Sequence, residues 1–153
     1  MLYGLALLIG VVAGLRAMTA PAAISWAAAL GWLPLEGTPL AFLGAAITPW
    51  IFTVLAMGEL VTDKLPKAPS RKVPIQFGGR LIGGAVSGAA IGTAAGSIWI
   101  GAALGVIGAV IGTLGGAAAR GRLAAAFGRD LPAALIEDAV AVGGAALIVL
   151  SLT

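Results

Sequence analysis

Several residue types are absent or scarce in this chain of 153 residues, and each scarcity excludes a class of protein. There is no cysteine, which excludes disulfides, thiol chemistry and thiolate metal sites. There is no histidine, so the commonest general base and metal ligand is missing. Only 10% of the residues are charged, whereas soluble domains average about 25%. A soluble domain with so few charges would have to expose a large apolar area to water.

The abundant residues are apolar. Hydrophobic residues make up 60% of the chain, and the mean hydropathy is +1.09. Both values are typical of an integral membrane protein, which needs about 20 apolar residues for each helical span. Met1–Gly14 has no basic segment before its apolar run, so it is a poor signal peptide and is expected to stay in the mature chain. The net charge of +3 is too small to indicate nucleic-acid binding, and no cofactor is implied.

One polar segment, Gly58–Arg80, divides the chain near its middle and holds five of the nine Lys/Arg and two of the six acids. We therefore predict one all-α transmembrane domain over residues 1–153. It has a first half at about 1–63, a cytoplasmic loop at about 64–80 and a second half at about 81–153. The first two apolar runs are short for full spans, and they could be tilted or dip into a locally thin bilayer. The six predicted transmembrane helices are Leu2–Leu15, Thr19–Leu33, Leu40–Thr62, Leu81–Ser97, Ile98–Ala119 and Leu131–Leu152.

Proline adds detail to this prediction. Pro49 falls inside the third run and predicts either a kink or a helix start with a re-entrant approach before it. Pro21 and Pro132 stand where the second and sixth helices would begin, which suits the first turn of a helix.

The basic residues predict the orientation. All nine fall after the first, third and fifth predicted spans, so they share one side, which the positive-inside rule makes cytoplasmic. Both termini are then outside a bacterial cytoplasmic membrane, and the basic loops are expected to contact anionic lipid headgroups. The four tryptophans fall toward the opposite side, as in an aromatic belt. The basic residues are Arg16, Lys64, Lys67, Arg71, Lys72, Arg80, Arg120, Arg122 and Arg129.

Glycines recur every four residues in the second half, which places them on one helix face and predicts close helix packing. A glycine-lined pore is the less favoured alternative, and a homo-oligomer is a possible partner arrangement. Leu8–Gly14 resembles Leu81–Gly88 with one inserted residue. Three spans per half would give the two halves opposite topologies, as an inverted repeat requires, although chance is a rival in so Gly- and Ala-rich a chain. The spaced glycines are Gly84, Gly88, Gly92, Gly96, Gly108, Gly112 and Gly116.

Four of the six acids are predicted to lie at similar depth near the cytoplasmic boundary. Glu59 and Asp63 are four residues apart and share a helix face. Glu137 and Asp138 follow Pro132 by about 8–9 Å of helix. Ionisable groups within spans usually face the bundle interior. They could pair with arginine and lock the helices together, or they could form a cation or proton site, and both readings stay open.

Two arginines are expected to complete this group. Arg16 and Arg80 should end or begin helices on the same side as the acids. We predict that Glu59 and Glu137 approach one another across the third and sixth helices, with Arg16 or Arg80 near enough to pair.

Three blocks of the sequence resemble a bacterial family of small integral membrane proteins classified as a domain of unknown function. The blocks are Gly14-Leu15-Arg16 followed by Pro21, then Glu59-x-x-x-Asp63-Lys64-x-Pro66, and finally Glu137-Asp138-x-x-Ala141. The resemblance covers nearly the whole chain and implies a multi-span helical fold. It brings no assigned activity.

Three functions are compatible with these features. The first is a small transporter or channel that uses the acid cluster as its ion or substrate site, and we favour it because of the intramembrane carboxylates and Pro49. The second is an enzyme acting on lipid phosphates through a carboxylate-bound divalent cation, but no nucleophile motif is recognisable. The third is a structural or partner-binding membrane protein, for which the glycine faces would suffice.

Overall fold

The computed structural model describes residues 2–33, 35, 37–62 and 74–152, and for Thr62, residues 74–76 and Asp130 it describes the backbone alone. The described residues form six α-helices and one 3₁₀ turn, and none of them lies in a β-strand. The prediction of an all-α protein is therefore confirmed. The helices are α1 (Leu2–Leu15), α2 (Thr19–Ala29), α3 (Thr48–Thr62), α4 (Pro74–Ala95), α5 (Ile98–Phe127) and α6 (Asp130–Leu150), and the 3₁₀ turn is Ala41–Gly44.

The third predicted span is divided into two elements. The 3₁₀ turn comes first, and α3 begins only at Thr48, so Pro49 lies in its first turn. Proline loses no backbone hydrogen bond in that position, because the first amides of a helix have no intrahelical acceptor. Pro49 is therefore a helix start and not a kink.

The prediction that Arg80 would border the fourth helix is wrong. Helix α4 begins at Pro74, earlier than the predicted Leu81, and Arg80 lies inside it. The apolar run starts at Leu81, but the helix extends beyond that run toward the N-terminus. Hydropathy therefore marked the start of the apolar surface and not the start of the helix.

The same difference corrects the predicted end of the fifth span at Ala119, after which residues 120–130 would form a basic loop. Helix α5 continues to Phe127, so Arg120 and Arg122 are helical. Residues 120–127 include three Ala and two Arg, which are good helix formers. Gly128 ends the helix at φ +77°, a left-handed conformation that glycine adopts readily.

Two helices are long and apolar enough to cross a membrane, namely α5 and the segment Leu131–Leu150 of α6. Two shorter apolar helices, Leu2–Leu15 and Thr48–Val61, accompany them. Helix α4 has 22 residues, but its many glycines and Arg80 lower its hydropathy. Length and composition thus give a helical protein with two candidate spans in the described part of the chain.

The centre of the bundle is the contact of α1, α4 and α5 through glycine faces. A Cβ added at Gly84 would lie 2.6 Å from the carbonyl oxygen of Gly105, and one at Gly92 would lie 2.6 Å from the Cα atom of Gly101. Such distances are too short for any side chain, so the two backbones touch directly. Three other spaced glycines also lie against the backbone of a neighbouring helix, and Gly116 is buried; the three are Gly88, Gly108 and Gly112.

Gly96 differs from the other spaced glycines and corrects the prediction that it packs against a helix. It follows the last residue of α4 at φ +112°, and an added Cβ would meet nothing within 4 Å. The conformation, and not a close approach, requires glycine here. Ser97 then caps α5, since its side chain accepts a hydrogen bond from the amide of Ile100.

The contacts of α1 show the direction of its neighbours. The Tyr3 hydroxyl donates to the carbonyl of Ala95 at 3.5 Å, and Arg80 donates to the carbonyl of Gly14 at 2.7 Å. The start of α1 therefore lies beside the end of α4, and the two helices are antiparallel.

Helix α5 runs parallel to α1, because Gly10 lies against Gly105 and Gly14 lies against Ala109. Helices α2 and α3 are antiparallel to each other. Hydrogen bonds join residues 17 and 18, just before α2, to Glu59 near the end of α3, and join residue 26 near the end of α2 to residue 53 near the start of α3. The end of α1, the start of α2, the end of α3 and the start of α4 consequently meet at one end of the bundle.

Candidate functional site

The candidate site is built around the break between α1 and α2. Helix α1 ends at Leu15 and α2 begins at Thr19, so two helix ends meet within a few residues. Met18 occupies the N-cap position but makes no side-chain capping hydrogen bond. The ends of two helices leave amides and carbonyls without intrahelical partners. The break therefore needs partners from other helices.

Glu59 supplies the missing cap from α3. Its carboxylate accepts hydrogen bonds from the amide of Ala17 at 2.9 Å and from the amide of Met18 at 3.1 Å. A negative charge at the N-terminal end of a helix also interacts favourably with the helix dipole. Glu59 thus satisfies the break and attaches the end of α3 to it.

The carbonyls at the end of α1 bind the opposite charge. The Gly14 carbonyl accepts from Arg80 at 2.7 Å and from the Thr113 hydroxyl at 3.4 Å. The Leu15 carbonyl accepts from Arg16 at 2.9 Å. Cations are favourable at the C-terminal end of a helix, so each side of the break carries the charge that suits its dipole.

Arg16 is completely buried and joins the break to α6. Its guanidinium donates to the carboxylate of Glu137, and its Nε atom donates to Asp138 Oδ1 at 2.8 Å. Glu137 also has Arg120 Nη1 at 3.7 Å from its carboxylate. The side chain of Glu137 is 6% exposed and that of Asp138 is 15% exposed, so these charges are largely withdrawn from solvent.

Six charged side chains therefore converge on the break, and we call them the break cluster. Three are cations and three are anions, so their formal charges cancel. Cancellation matters because isolated charges are expensive in apolar surroundings. The members of the break cluster are Arg16, Glu59, Arg80, Arg120, Glu137 and Asp138.

The site residues predicted from sequence largely come together here. Arg16 binds both acids of α6, whereas Glu59 binds the amides of the next two residues along the chain. The acid of α3 and the acids of α6 thus bind neighbouring residues of the break. The α3 acid accepts from backbone amides, whereas the α6 acids accept from the Arg16 side chain. Arg80 reaches it from α4 but donates to a carbonyl. Asp63 lies outside the described residues.

Three contributors were missed. Arg120 falls in a predicted loop because hydropathy drops there, although the helix continues. The need of the Ala17 and Met18 amides for a capping acceptor is predictable from sequence, since so short an interval between two helices leaves amides without intrahelical acceptors. Thr113 gave no signal, because a single threonine on an apolar helix is common.

A cavity of about 370 Å³ lies beside the break, between α2, α3 and α6. Thr19 lines its wall and is only 8% exposed, and its hydroxyl has no hydrogen-bond partner among the residues that the structure describes. The Thr53 hydroxyl, in contrast, accepts from the Trp26 indole at 2.8 Å. The cavity is lined by Thr19, Ala22, Ala23, Trp26, Thr53, Ala56, Met57, Leu60, Val142, Ala145, Ala146 and Val149.

In the part of the chain that the structure describes, no group of three or more Asp and Glu side chains is arranged to hold a metal ion. The acids that are described bind Arg16 and backbone amides instead. No protein-family model, curated protein or solved structure matches this chain.

Proposed function

We propose that this chain is a small multi-span membrane transporter or channel whose ion or substrate site is the break between α1 and α2. The observation that carries the proposal is that charged side chains from four other helices, α3 to α6, converge on the break between the two helix ends. Broken helices whose ends face the site are a recurring construction in transporters, because helix ends offer unpaired amides and carbonyls to a solute. Glycine packing alone would not require such a break.

The depth of the break supports the same function. Helix α1 has 14 residues and is about 21 Å long at 1.5 Å per residue. The hydrocarbon core of a bilayer is about 30 Å thick. If Leu2 lies near one interface, the break cluster lies within the hydrocarbon, nearer to the other interface. Ionisable groups at such a depth usually belong to a pathway for ions or substrate.

We further propose six spans with both termini outside a bacterial cytoplasmic membrane. The positions of three arginines support this topology. Arg16, Arg80 and Arg120 all lie at the same end of the bundle, and six spans of alternating direction would place that end at the cytoplasmic face. The basic segment 64–72 would then face the cytoplasm and contact anionic headgroups.

Topology is tested by cysteine labelling, for which the cysteine-free chain is well suited. Single cysteines are introduced at Ser70 and Ser151 and exposed to a membrane-impermeant maleimide in intact cells. We expect Ser151→Cys to be labelled from outside, and Ser70→Cys to be labelled only after the membrane is permeabilised. Labelling of both positions in intact cells would contradict the proposed topology.

Function is tested by flux into proteoliposomes. We expect the purified protein to increase the entry of protons, sodium or potassium over protein-free liposomes. Glu59→Gln keeps the size of the side chain but removes its charge. We expect it to lower the flux at least about tenfold, equivalent to about 1.4 kcal/mol of barrier, with unchanged folding.

The matched control is Glu36→Gln, which removes the same charge from the Pro- and Gly-rich turn between the second and third predicted spans. It should retain the flux. A wild-type protein that moves none of the three ions would contradict the proposed function. A Glu59→Gln protein that loses stability, with no effect of any ion, would indicate a structural lock instead.

A further inference from the structure

Two serine side chains in the core of the bundle lack the hydrogen bonds that such side chains usually make. Ser25 on α2 and Ser87 on α4 are both completely buried, and neither hydroxyl has a hydrogen-bond partner in the described part of the chain. A hydroxyl on a helix can donate to the carbonyl four residues earlier. Thr53, Thr93 and Ser151 all do so in this protein, at 2.7–2.9 Å. The two serines are therefore exceptions within their own fold.

The two serines lie on the sides of α2 and α4 that face each other. Both helices begin at the end of the bundle where the break lies, so they run in the same direction. A Cβ added at Gly83 would lie 3.7 Å from the Cγ atom of Pro21, which marks a contact between the two helices near the break. Ser87 and Ser25 each follow that contact by four residues, which is about one helical turn. The two hydroxyls are consequently brought to the same level between the helices.

This level lies deep in the bundle. Ser87 follows Arg80 by seven residues, which is about 10 Å of helix, whereas α1 is about 21 Å long. The serines therefore lie about halfway along α1 from the break. Ile24, the neighbour of Ser25, and Ile91, one turn after Ser87, are both completely buried. Apolar side chains offer a hydroxyl no hydrogen bond, and a buried hydroxyl without any partner is destabilising.

The chemistry of the two helices indicates which molecule pairs with these hydroxyls. The serines do not bond to each other, so the separation of their hydroxyls is longer than a direct hydrogen bond. Helix α2 contains no ionisable residue, and Arg80 is the only one in α4. A cation between the serines would find no acid on either helix to balance its charge. Water is neutral, and it can donate to one hydroxyl and accept from the other.

We propose that Ser25 and Ser87 together bind a water molecule between α2 and α4, which bridges their hydroxyls. Buried waters pair with polar groups that would otherwise be unsatisfied, and each needs roughly two to four polar partners. The two hydroxyls supply the smaller number. The water gives the bundle a second polar site, which is deeper than the break cluster and separate from it. This inference goes beyond the proposed function, because the binding of water does not depend on transport.

The water is detected by solid-state NMR of the full chain in liposomes, through magnetisation transfer from water protons to the protein. We expect transfer to the amide protons of Ser25 and Ser87 at mixing times at which Gly84 and Gly105 show none. Gly84 and Gly105 are the reference because they belong to the direct backbone contact between α4 and α5, which leaves no space for water. Combining Ser25→Ala with Ser87→Ala should abolish the transfer at both positions.

A double-mutant cycle on thermal unfolding in detergent tests whether the two hydroxyls share one ligand. Each single alanine removes one side of the bridge and leaves the other hydroxyl poorly paired, whereas the double variant has neither hydroxyl left to pair. We expect the double variant to unfold about 2–4 °C above the midpoint calculated from the two single shifts. The cycle cancels the helix propensity that each alanine adds.

The matched control combines Ser25→Ala with Thr93→Ala. Thr93 lies on the same helix as Ser87, but its hydroxyl is bonded to the carbonyl of Ala89, so these two shifts should add. The inference is overturned if Ser25 and Ser87 receive no transfer from water, or if the shifts of their alanine variants are additive. Neither measurement involves flux. A protein that shows the transfer and the coupling but moves no ions would therefore support the water site and contradict the proposed function.

Discussion

Gly88→Leu is expected to prevent the accumulation of folded protein. Gly88 faces the backbone of α5, and a Cβ added to it would lie 2.8 Å from the Cα atom of Gly105. Backbone atoms cannot move aside as the end of a flexible side chain can. A leucine at this position would therefore separate α4 from α5 and remove the direct contact between their backbones. Even Gly88→Ala should destabilise the protein, although alanine is the better helix former.

The matched control lies on the same helix. A Cβ added at Gly79 would meet nothing within 4 Å. Gly79→Leu should accumulate normally, and Gly79→Ala should be neutral or should stabilise by up to about 1 kcal/mol through helix propensity. The measurement is the yield of monodisperse protein after extraction and its thermal unfolding in detergent. Equal yields of Gly88→Leu and Gly79→Leu would contradict the proposed role of the glycine face.

The difference between these two glycines shows how far the sequence could predict the packing. The four-residue spacing put Gly84, Gly88 and Gly92 on one face, since that spacing is close to the helical repeat. It also included Gly96, which lies beyond the end of α4 at φ +112°. Spacing alone cannot distinguish a glycine that lets two helices approach closely from one that adopts a positive φ. That distinction requires the position at which the helix ends, which the spacing does not predict.

For the break between α1 and α2, the sequence predicts most of the residues involved but not all of their contacts. The sequence predicts five of its six charged residues, all except Arg120, because ionisable side chains inside apolar segments are rare and costly. The sequence also predicts an arginine beside these acids, and Arg16 does bind Glu137, but the partner of Glu59 is not predictable in this way. Helix periodicity places Glu59 on a face of α3, but it carries no information on whether that face meets an arginine or the amides of Ala17 and Met18. That outcome depends on how α3 lies against α2, which is a property of the folded bundle.

The contacts divide the break cluster into two parts with different roles. Arg16, Glu137 and Asp138 form a compact buried ion group between the break and α6. Glu59 instead attaches α3, a helix that packs mainly against α2 and the 3₁₀ turn. A movement of α3 would withdraw Glu59 from the break without separating the ion group. We therefore expect the ion group to hold the fold and Glu59 to serve the solute.

Arg16→Met should cost about 3–5 kcal/mol of stability, since it leaves Glu137 and Asp138 buried beside each other without their common cation. Against a typical total of about 5–15 kcal/mol, such a loss should lower the unfolding temperature by more than about 6 °C. The measurement is thermal unfolding in detergent, followed by tryptophan fluorescence. The control is Arg122→Met, because Arg122 is exposed and its removal should change the midpoint little.

A variant in which the whole ion group is neutralised tests whether these charges only stabilise the fold or also act on the solute. Adding Glu137→Gln and Asp138→Asn to Arg16→Met removes all three charges while keeping the approximate volume of each side chain. Replacing a whole buried ion group by uncharged residues is often nearly neutral, so we expect most of the lost stability to return. If the ion group only holds the fold, the triple variant should also regain its ion flux in proteoliposomes. Recovery of stability without flux would mean that these charges act on the solute together with Glu59.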